Sequence, residues 1–527
     1  MEINYSRVAV GLISVIVSVA IIVRLLNKKK YTKEGLSTAV PPGPPAVPII
    51  GHLHLLKRPL CKRLAELSKE YGPLMHLRMG YRRTLVVSSS ALAQECLTTN
   101  DIALASRPRL AAGKHLGYNF TVAAWSPYGH HWRNVRRICV LELLSARRIE
   151  MFMQFRREEV SALVRSLFLS SQRPGDAVNM RKNLSEMTFN MIVRMVANKR
   201  YFNIGSPDSS GESWQSVEGR EFTEALKRTV LISSVFNIGD YIPVLGWLDL
   251  QGYERSMKKL QKQRDAFLQR LLDEHRQRRK TESSDTTDRD LIDVLLSIQE
   301  KGMHDDDYQF TDDIIKGIAV LMISAGTDTS ATTIEWALSS LLKQPHILKR
   351  AQEELDTHVG RDRVVEESDL PKLEYVQAIV KETLRLYPPG PLLIAHEAME
   401  PCTVGGYHIP VGTMVMVNVW AIHRDPSVWD KPLEFWPERF LLNREIDVKG
   451  QHFEFIPFGS GRRGCPGINL ALRVVQFALA TLLHSFDWKS VEDDIDMNEG
   501  IGVTMPKAVP LEAFPTPRLS LDLYNSS

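Results

Sequence analysis

The stretch Phe458-Gly-Ser-Gly461-Arg-Arg463-Gly-Cys465-Pro-Gly467 decides how this chain is read. A strongly apolar run with helical periodicity follows it, from Ile468 to about His484. A cysteine at a helix N-terminus meets free backbone N–H groups and the positive end of the helix dipole, which favour the thiolate. The surrounding glycines let the backbone approach the sulfur, where N–H donors tune a metal–sulfur bond. Pro466 suits a first helical turn, where its missing N–H costs little. Arg463 supplies a cation suited to a carboxylate. With no second cysteine or histidine ligand nearby, such a thiolate suits haem better than zinc. Gly459 to Gly464 also matches the dinucleotide pattern G-x-G-x-x-G. That pattern needs a preceding strand and a βαβ unit, but Pro457 interrupts the segment before it and too little chain follows, so this reading fails.

Working outward, Ala325-Gly-Thr-Asp328-Thr329-Ser330 lies inside a helical stretch from Thr311 to about Leu342. Thr311 is placed to cap it, with Asp312 and Asp313 in the first turn. Gly326 costs ~1 kcal/mol relative to alanine in a helix, and the surrounding Thr and Ser residues are also poor formers. Propensity and hydrophobic pattern therefore disagree, as they do at functional sites. A threonine hydroxyl here can bond the carbonyl four residues back and distort the helix, opening a small polar groove beside the metal face. The plain alternative is a kinked structural helix.

Glu382 and Arg385 share a helix face, and Arg439 follows in an aromatic segment. They form either an exposed pair worth ~0.3–0.5 kcal/mol or, with Arg439, a buried network that is costly to break. Trp132 and Arg136, four apart, put an indole N–H and a guanidinium on one face, able to bind the same anion. The alternative is a solvated basic face shared with Arg133, Arg137, Arg147 and Arg148.

The 527 residues are 44% hydrophobic and 24% charged, a globular composition. With 66 basic against 62 acidic side chains, the chain is no phosphate-neutralising nucleic-acid binder. Five scattered cysteines without a C-x-x-C pair fit a reducing compartment, and Cys61, Cys96, Cys139 and Cys402 read as packing. The whole net charge of +4 sits in residues 24 to 34, behind the apolar run Val8 to Val23. Extended to Leu26, that run gives a helix of ~28 Å, about a bilayer core. The basic block behind it puts the remainder on the cytoplasmic side, whereas a cleaved signal peptide would carry its charge in front. The expected organisation is a membrane anchor over 1–27, a basic and proline-rich hinge over 28–51, and one catalytic domain over 52–527.

In that domain Met75 to Val87 reads as a hairpin, and Tyr407 to Asn418 as part of a second small sheet. Met257, Leu260, Phe267 and Leu271 line one face of a helix, while Asn203–Ser213 and Thr281–Asp290 read as surface loops. Phe236 to Leu250 either packs into the core or forms an exposed apolar patch against a bilayer. The fold class is mainly α with small β-sheets.

The four motifs, in this order, resemble the cytochrome P450 haem-thiolate monooxygenases from Pro41 to about Pro517. Val448 to Phe458, Cys402 to His408 and Pro506 to Pro510 are similar to a plant microsomal branch that oxidises alkaloids, coumarins, flavonoids and terpenoids. The resemblance implies the cytochrome P450 fold behind a single N-terminal transmembrane helix. It places the protein in the endoplasmic reticulum membrane, with the catalytic domain facing the cytosol. It implies haem (heme b) with Cys465 as axial thiolate ligand of the iron, and Trp132, Arg136, Arg463 and His396 as partners of the haem propionates. Glu382, Arg385 and Arg439 would form a structural triad. Asp328 and Thr329 match the acid–alcohol pair that supplies protons for oxygen activation. Ala395 before His396, and Gly464 before Cys465, depart from the commoner patterns.

By the same resemblance Phe120, Ala325, Ile394 and Thr504 face the substrate, an apolar small molecule into which one atom of O2 is inserted. NADPH electrons would arrive through a separate NADPH-cytochrome P450 reductase docked on the basic face around Arg133 and Arg137. The alternative is a haem-thiolate isomerase or dehydratase that does not use O2. The Asp328-Thr329 pair speaks against that, and against a non-catalytic haem sensor.

Overall fold

A computed structural model describes residues 40–173, 175–204, 214–281, 290–302 and 308–525. The expected anchor, the first half of the hinge and most of the two expected surface loops lie outside the described residues.

Helix α1 (Leu60–Tyr71) buries Cys61, Leu64, Ala65 and Leu67 along one side. The expected hairpin follows as β1 (Leu74–Met79) and β2 (Arg82–Val87), with Met75, Leu77 and Met79 buried. Gly80 makes the turn at φ 56°, a conformation that glycine adopts without penalty. Beyond it the chain is mainly helical: α2 (His130–Ile138), α3 (Met153–Ser171), α4 (Met180–Ala197), α5 (Trp214–Ser233), α6 (Tyr253–Thr281), α7 (Leu291–Lys301), α8 (Asp312–Lys343), α9 (Pro345–His358), α10 (Glu374–Leu386) and α11 (Ile468–Ser485). Met257, Leu260, Phe267 and Leu271 are buried on α6, as their spacing predicts.

Helix α8 is the axis of the core, packed along α4 and against α11 and α10. Side chains from these helices form one continuous apolar cluster. Each fully buried Leu or Ile there contributes ~1.5–3 kcal/mol. Both α8 and α11 are long and apolar enough to cross a membrane, yet both are mostly buried inside the protein.

Helix α8 starts where expected, but Thr311 makes no side-chain capping bond. The Thr329 hydroxyl does donate to the carbonyl of Ala325, at 2.6 Å. The helix nevertheless runs unbroken through Gly326. The glycine answers to packing instead. A Cβ there would lie 2.8 Å from Ile192 Cδ1 on α4, so its absence lets the two helices approach.

The sheets correct one expectation. Tyr407–Ile409 (β6) pairs only with Cys402–Val404 (β5), as a two-stranded ribbon. Met414–Val417 (β7) instead joins the hairpin, parallel to β2 and antiparallel to His396–Glu397 (β4), in the order β1-β2-β7-β4. Parallel pairing needs a long crossover, so the local pattern could not show it. A third sheet is ordered Val178–Asn179 (β3), Glu512–Pro517 (β9), Phe486–Ser490 (β8).

Phe236 to Leu250 divides between its two readings. Ile242 is buried, and Tyr241 stacks on Phe236 at 4.2 Å while packing beside the hairpin. Val244, Trp247, Leu248 and Leu250 are exposed, Trp247 to 81%.

Candidate active site

The Cys465 loop is closed by its own backbone: Cys465 N–H donates to the carbonyl of Phe458 at 2.9 Å. Gly461, at φ 67°, lies where a Cβ would meet the Leu97 carbonyl and Asp101 Oδ1 at 2.6 Å. The Arg462 N–H donates to that same carboxylate, at 3.1 Å. The glycines therefore seat the loop on the 97–101 segment. Gly467, the residue that opens α11, points its N–H at the sulfur from 3.4 Å.

Cys465 is solvent-accessible, yet protein surrounds it closely enough for desolvation to raise its thiol pKa. Gly467 N–H and Arg136 pull in the opposite direction without winning. The helix start does pull towards the thiolate through the Gly467 N–H, as the sequence leads one to expect, but burial outweighs it in the net direction. Among the other cysteines, Cys61, Cys96 and Cys139 are buried and Cys402 half-buried, in keeping with packing.

Trp132, Arg136 and His396 lie about the loop's own Arg463. Trp132 is buried on α2, and Arg136, on the same face, is near enough to Cys465 for their charges to interact. The Arg463 guanidinium lies 4.3 Å over the Trp132 ring. It donates to the carbonyls of Ala105, Ala123 and Ser126 at 2.6, 3.1 and 2.7 Å. Burial, with Arg136 beside it, pushes its pKa down to about 9. His396 Nδ1 donates to the Leu104 carbonyl at 2.8 Å, and burial followed by Arg107 pushes the ring down to about 3. A neutral ring bonded this way presents a lone pair at Nε2, so it can donate to a carboxylate only after binding a proton.

Sequence reasoning missed Arg107. It is buried, and its Nη1 reaches the carbonyls of Ile394 and Ala395 at 2.5 and 3.0 Å. Its Nε–H has no hydrogen-bond partner. Burial, and then Arg463, hold its pKa well below the usual range. The available signal was a lone arginine closing the otherwise uncharged run Ile102 to Pro108. Among the described residues no carboxylate lies within ion-pair distance of Arg107, Arg136 or Arg463. Buried cations are costly without a counter-charge. A soft sulfur within charge range of Arg136, which neighbours Arg463 and through it Arg107, together with an indole, fits haem: Cys465 would hold its iron and the uncompensated cations its carboxylates.

On α8 Ala325 is exposed among half-buried neighbours, and Ile394 is 42% exposed. Thr504 donates its hydroxyl to Asp328 Oδ2 at 2.6 Å, which unites residues expected to serve different purposes. Phe120 is half-buried with the Arg109 guanidinium 5.4 Å over its ring, on the segment whose end carries the Arg463 acceptors.

Glu382 binds Arg385 through both oxygens at 2.8 Å and meets Arg439 Nε at 3.1 Å, all three being buried. The network reaches the cysteine loop through His423. Arg385 Nη1 donates to the His423 carbonyl at 2.7 Å, and His423 Nε2 accepts from Ile456 N–H at 3.0 Å. Elsewhere His275, Asp290 and Asp293 gather ligand atoms, but Arg278 already places its cation 2.5 Å from Asp293.

A family profile described as Cytochrome P450 matches residues 41–510. The chain is 46% identical to a xanthotoxin 5-hydroxylase of Arabidopsis thaliana over 508 residues, 94% of this chain and 95% of that one. It is 44% identical to an isoflavone 2'-hydroxylase of Glycyrrhiza echinata, over 90% of this chain and 91% of that one. A zebra fish cytochrome P450 structure with abiraterone matches with a TM-score of 0.72 at 29% identity, covering 88% of this chain and 99% of that one.

Proposed function

The chain belongs to the cytochrome P450 family of monooxygenases, and from that premise we propose that it hydroxylates an apolar aromatic plant metabolite of the coumarin or isoflavone class. The observation that carries the haem chemistry is the set Arg136, Arg463 and Arg107, lacking acids and reaching one to the next from an accessible Cys465. The substrate class is supported by the xanthotoxin and isoflavone hydroxylases among the relatives. The exposed apolar groups Ala325, Ile394, Ile501 and Val503 suit a substrate of that kind.

Cys465 would hold the iron, and Trp132, Arg107, Arg136 and Arg463 the two carboxylates, with His396 joining once protonated. Haem, when bound, would supply the oxidising power by which one atom of O2 enters a C–H bond and the other is released as water, with electrons from NADPH. The protein handles the protons. Thr329, held to its own helix at Ala325, presents an alcohol that can accept and donate, and Asp328 beside it resupplies the proton as a general acid. Phe120, Ala325, Ile394 and Thr504 orient the substrate and exclude water.

Residues 1–27 would anchor the protein in the endoplasmic reticulum membrane, with Val244, Trp247, Leu248 and Leu250 resting on its surface. NADPH electrons would arrive from a reductase whose acidic face meets the exposed Arg133 and Arg137.

Microsomes containing the protein and a reductase, given NADPH, labelled dioxygen and either xanthotoxin or an isoflavone, should yield a hydroxylated product carrying one labelled atom. Product without label would favour the isomerase or dehydratase reading. Turnover of neither compound would overturn the substrate class. The reduced protein with carbon monoxide should show the red-shifted Soret band of thiolate ligation, and Cys465→Ala should lose it. An unshifted band in folded wild-type protein would overturn the ligand assignment.

A further inference from the structure

Asp328 and Thr504 lie 176 residues apart and meet through one short hydrogen bond of 2.6 Å. The turn that carries Thr504 is firmly placed. Met505 N–H donates to the Pro389 carbonyl at 3.1 Å, and the indole of Trp336, fully buried on α8, donates to the Met505 carbonyl at 2.8 Å. A Cβ at Gly502 would lie 2.6 Å from the Thr504 carbonyl, so only glycine lets the turn close this tightly. Among the described residues this hydroxyl is the one hydrogen-bond partner of the Asp328 side chain, which has no ion pair there either. The neighbouring Thr329 hydroxyl is committed to Ala325. Alcohol and acid are thus held by different partners, the alcohol by its own helix and the acid by the C-terminal turn.

We infer that Thr504 is a positioning residue for proton delivery, holding the Asp328 carboxylate and tying it to the turn whose side chains Ile501 and Val503 stand exposed. The inference rests on Asp328 being the proton-delivering acid. A hydroxyl suits this task because it both donates and accepts. While Asp328 is ionised, Thr504 donates to it. Once Asp328 carries a proton, the carboxylic acid donates to Thr504 Oγ1. One side chain therefore keeps the acid in place through a cycle in which it must lose and regain a proton. A cation would hold only the ionised form, and an alkyl group neither. Ile501 and Val503 are 50% and 42% exposed on the same turn, so a substrate pressing on them bears on the acid as well.

The test uses full-length holoprotein with reductase, comparing Thr504→Val, Thr504→Ser, Asp328→Ala and the Thr504→Val/Asp328→Ala double variant. The fraction of NADPH electrons released as peroxide, with and without xanthotoxin, should rise several-fold in Thr504→Val. It should return to the wild-type level in Thr504→Ser and rise no further in the double variant than in Asp328→Ala. The carbon monoxide band should be unchanged in all four. Amide hydrogen exchange over residues 500–505, read by mass spectrometry, should accelerate several-fold in both Thr504→Val and Asp328→Ala. If Asp328→Ala uncouples the enzyme and Thr504→Val does not, or if the two effects add, the positioning role fails by itself. If Asp328→Ala leaves peroxide release unchanged, the acid reading falls and takes this inference with it, while the exchange data still report on the tether.

Discussion

Arg107 shows how much a single side chain depends on its surroundings. A buried guanidinium with an unpartnered Nε–H, facing Arg463 and no carboxylate, is unfavourable until an anion compensates it. Arg107→Gln should therefore loosen the haem. Its transfer to apomyoglobin should speed up by about 10–100-fold, the range seen when groups supporting a metal site are removed. An unchanged rate would remove Arg107 from the set. Cys465 could be read from the chain because loop, glycines and helix start all fall within ten residues. Arg107 could not, because its partners Ile394 and Ala395 lie 287 and 288 positions away. The same holds for His396, whose spacing says nothing about which ring nitrogen is engaged or whether the ring is charged.

At the scale of elements, Gly326 on α8 sets two local rules against each other. Helix propensity alone says that alanine would gain ~1 kcal/mol. Packing says that a Cβ lying 2.8 Å from Ile192 Cδ1 and 3.0 Å from Cγ1 overfills the contact, at ~1–3 kcal/mol. Gly326→Ala should therefore lower stability, by up to ~2 kcal/mol after the two are set against each other. Adding Ile192→Val, which removes Cδ1, should restore part of the loss. Thermal unfolding of the single and double variants checks this, and a stabilising Gly326→Ala would show that the close approach is not what retains the glycine. Sequence periodicity marked α8 correctly and its glycine as anomalous. It offered distortion as the cause, since the neighbouring helix is invisible to it. The β1–β2 hairpin was legible for the opposite reason, its two strands being joined by a single turn.

For the whole molecule, acid should be the weak side. Burial holds the ring of His423 at about 3, against 6.5 when unfolded. His423 shows the cause: Nδ1 donates to the Arg385 carbonyl at 3.1 Å while Nε2 accepts from Ile456 N–H, a pairing open only to the neutral ring. Below pH 6.5 the unfolded chain binds protons that the native state refuses. The stabilisation from this ring is thus complete above about 6.5 and declines towards 3, at ~1.4 kcal/mol per pH unit. The melting temperature should fall steadily between pH 6.5 and 5, and a flat or rising profile would contradict the neutral assignment. By itself the sequence determined the mainly helical class, the early hairpin, the haem-thiolate loop and hence the type of reaction. These rest on periodicity and on chemistry shared by chain neighbours. Only the tertiary structure decided that β7 joins the hairpin sheet, that Arg107 stands beside Arg463, and that Thr504 holds Asp328. Strand partners, burial and charge compensation depend on which distant segments meet, and a linear pattern carries no record of that meeting.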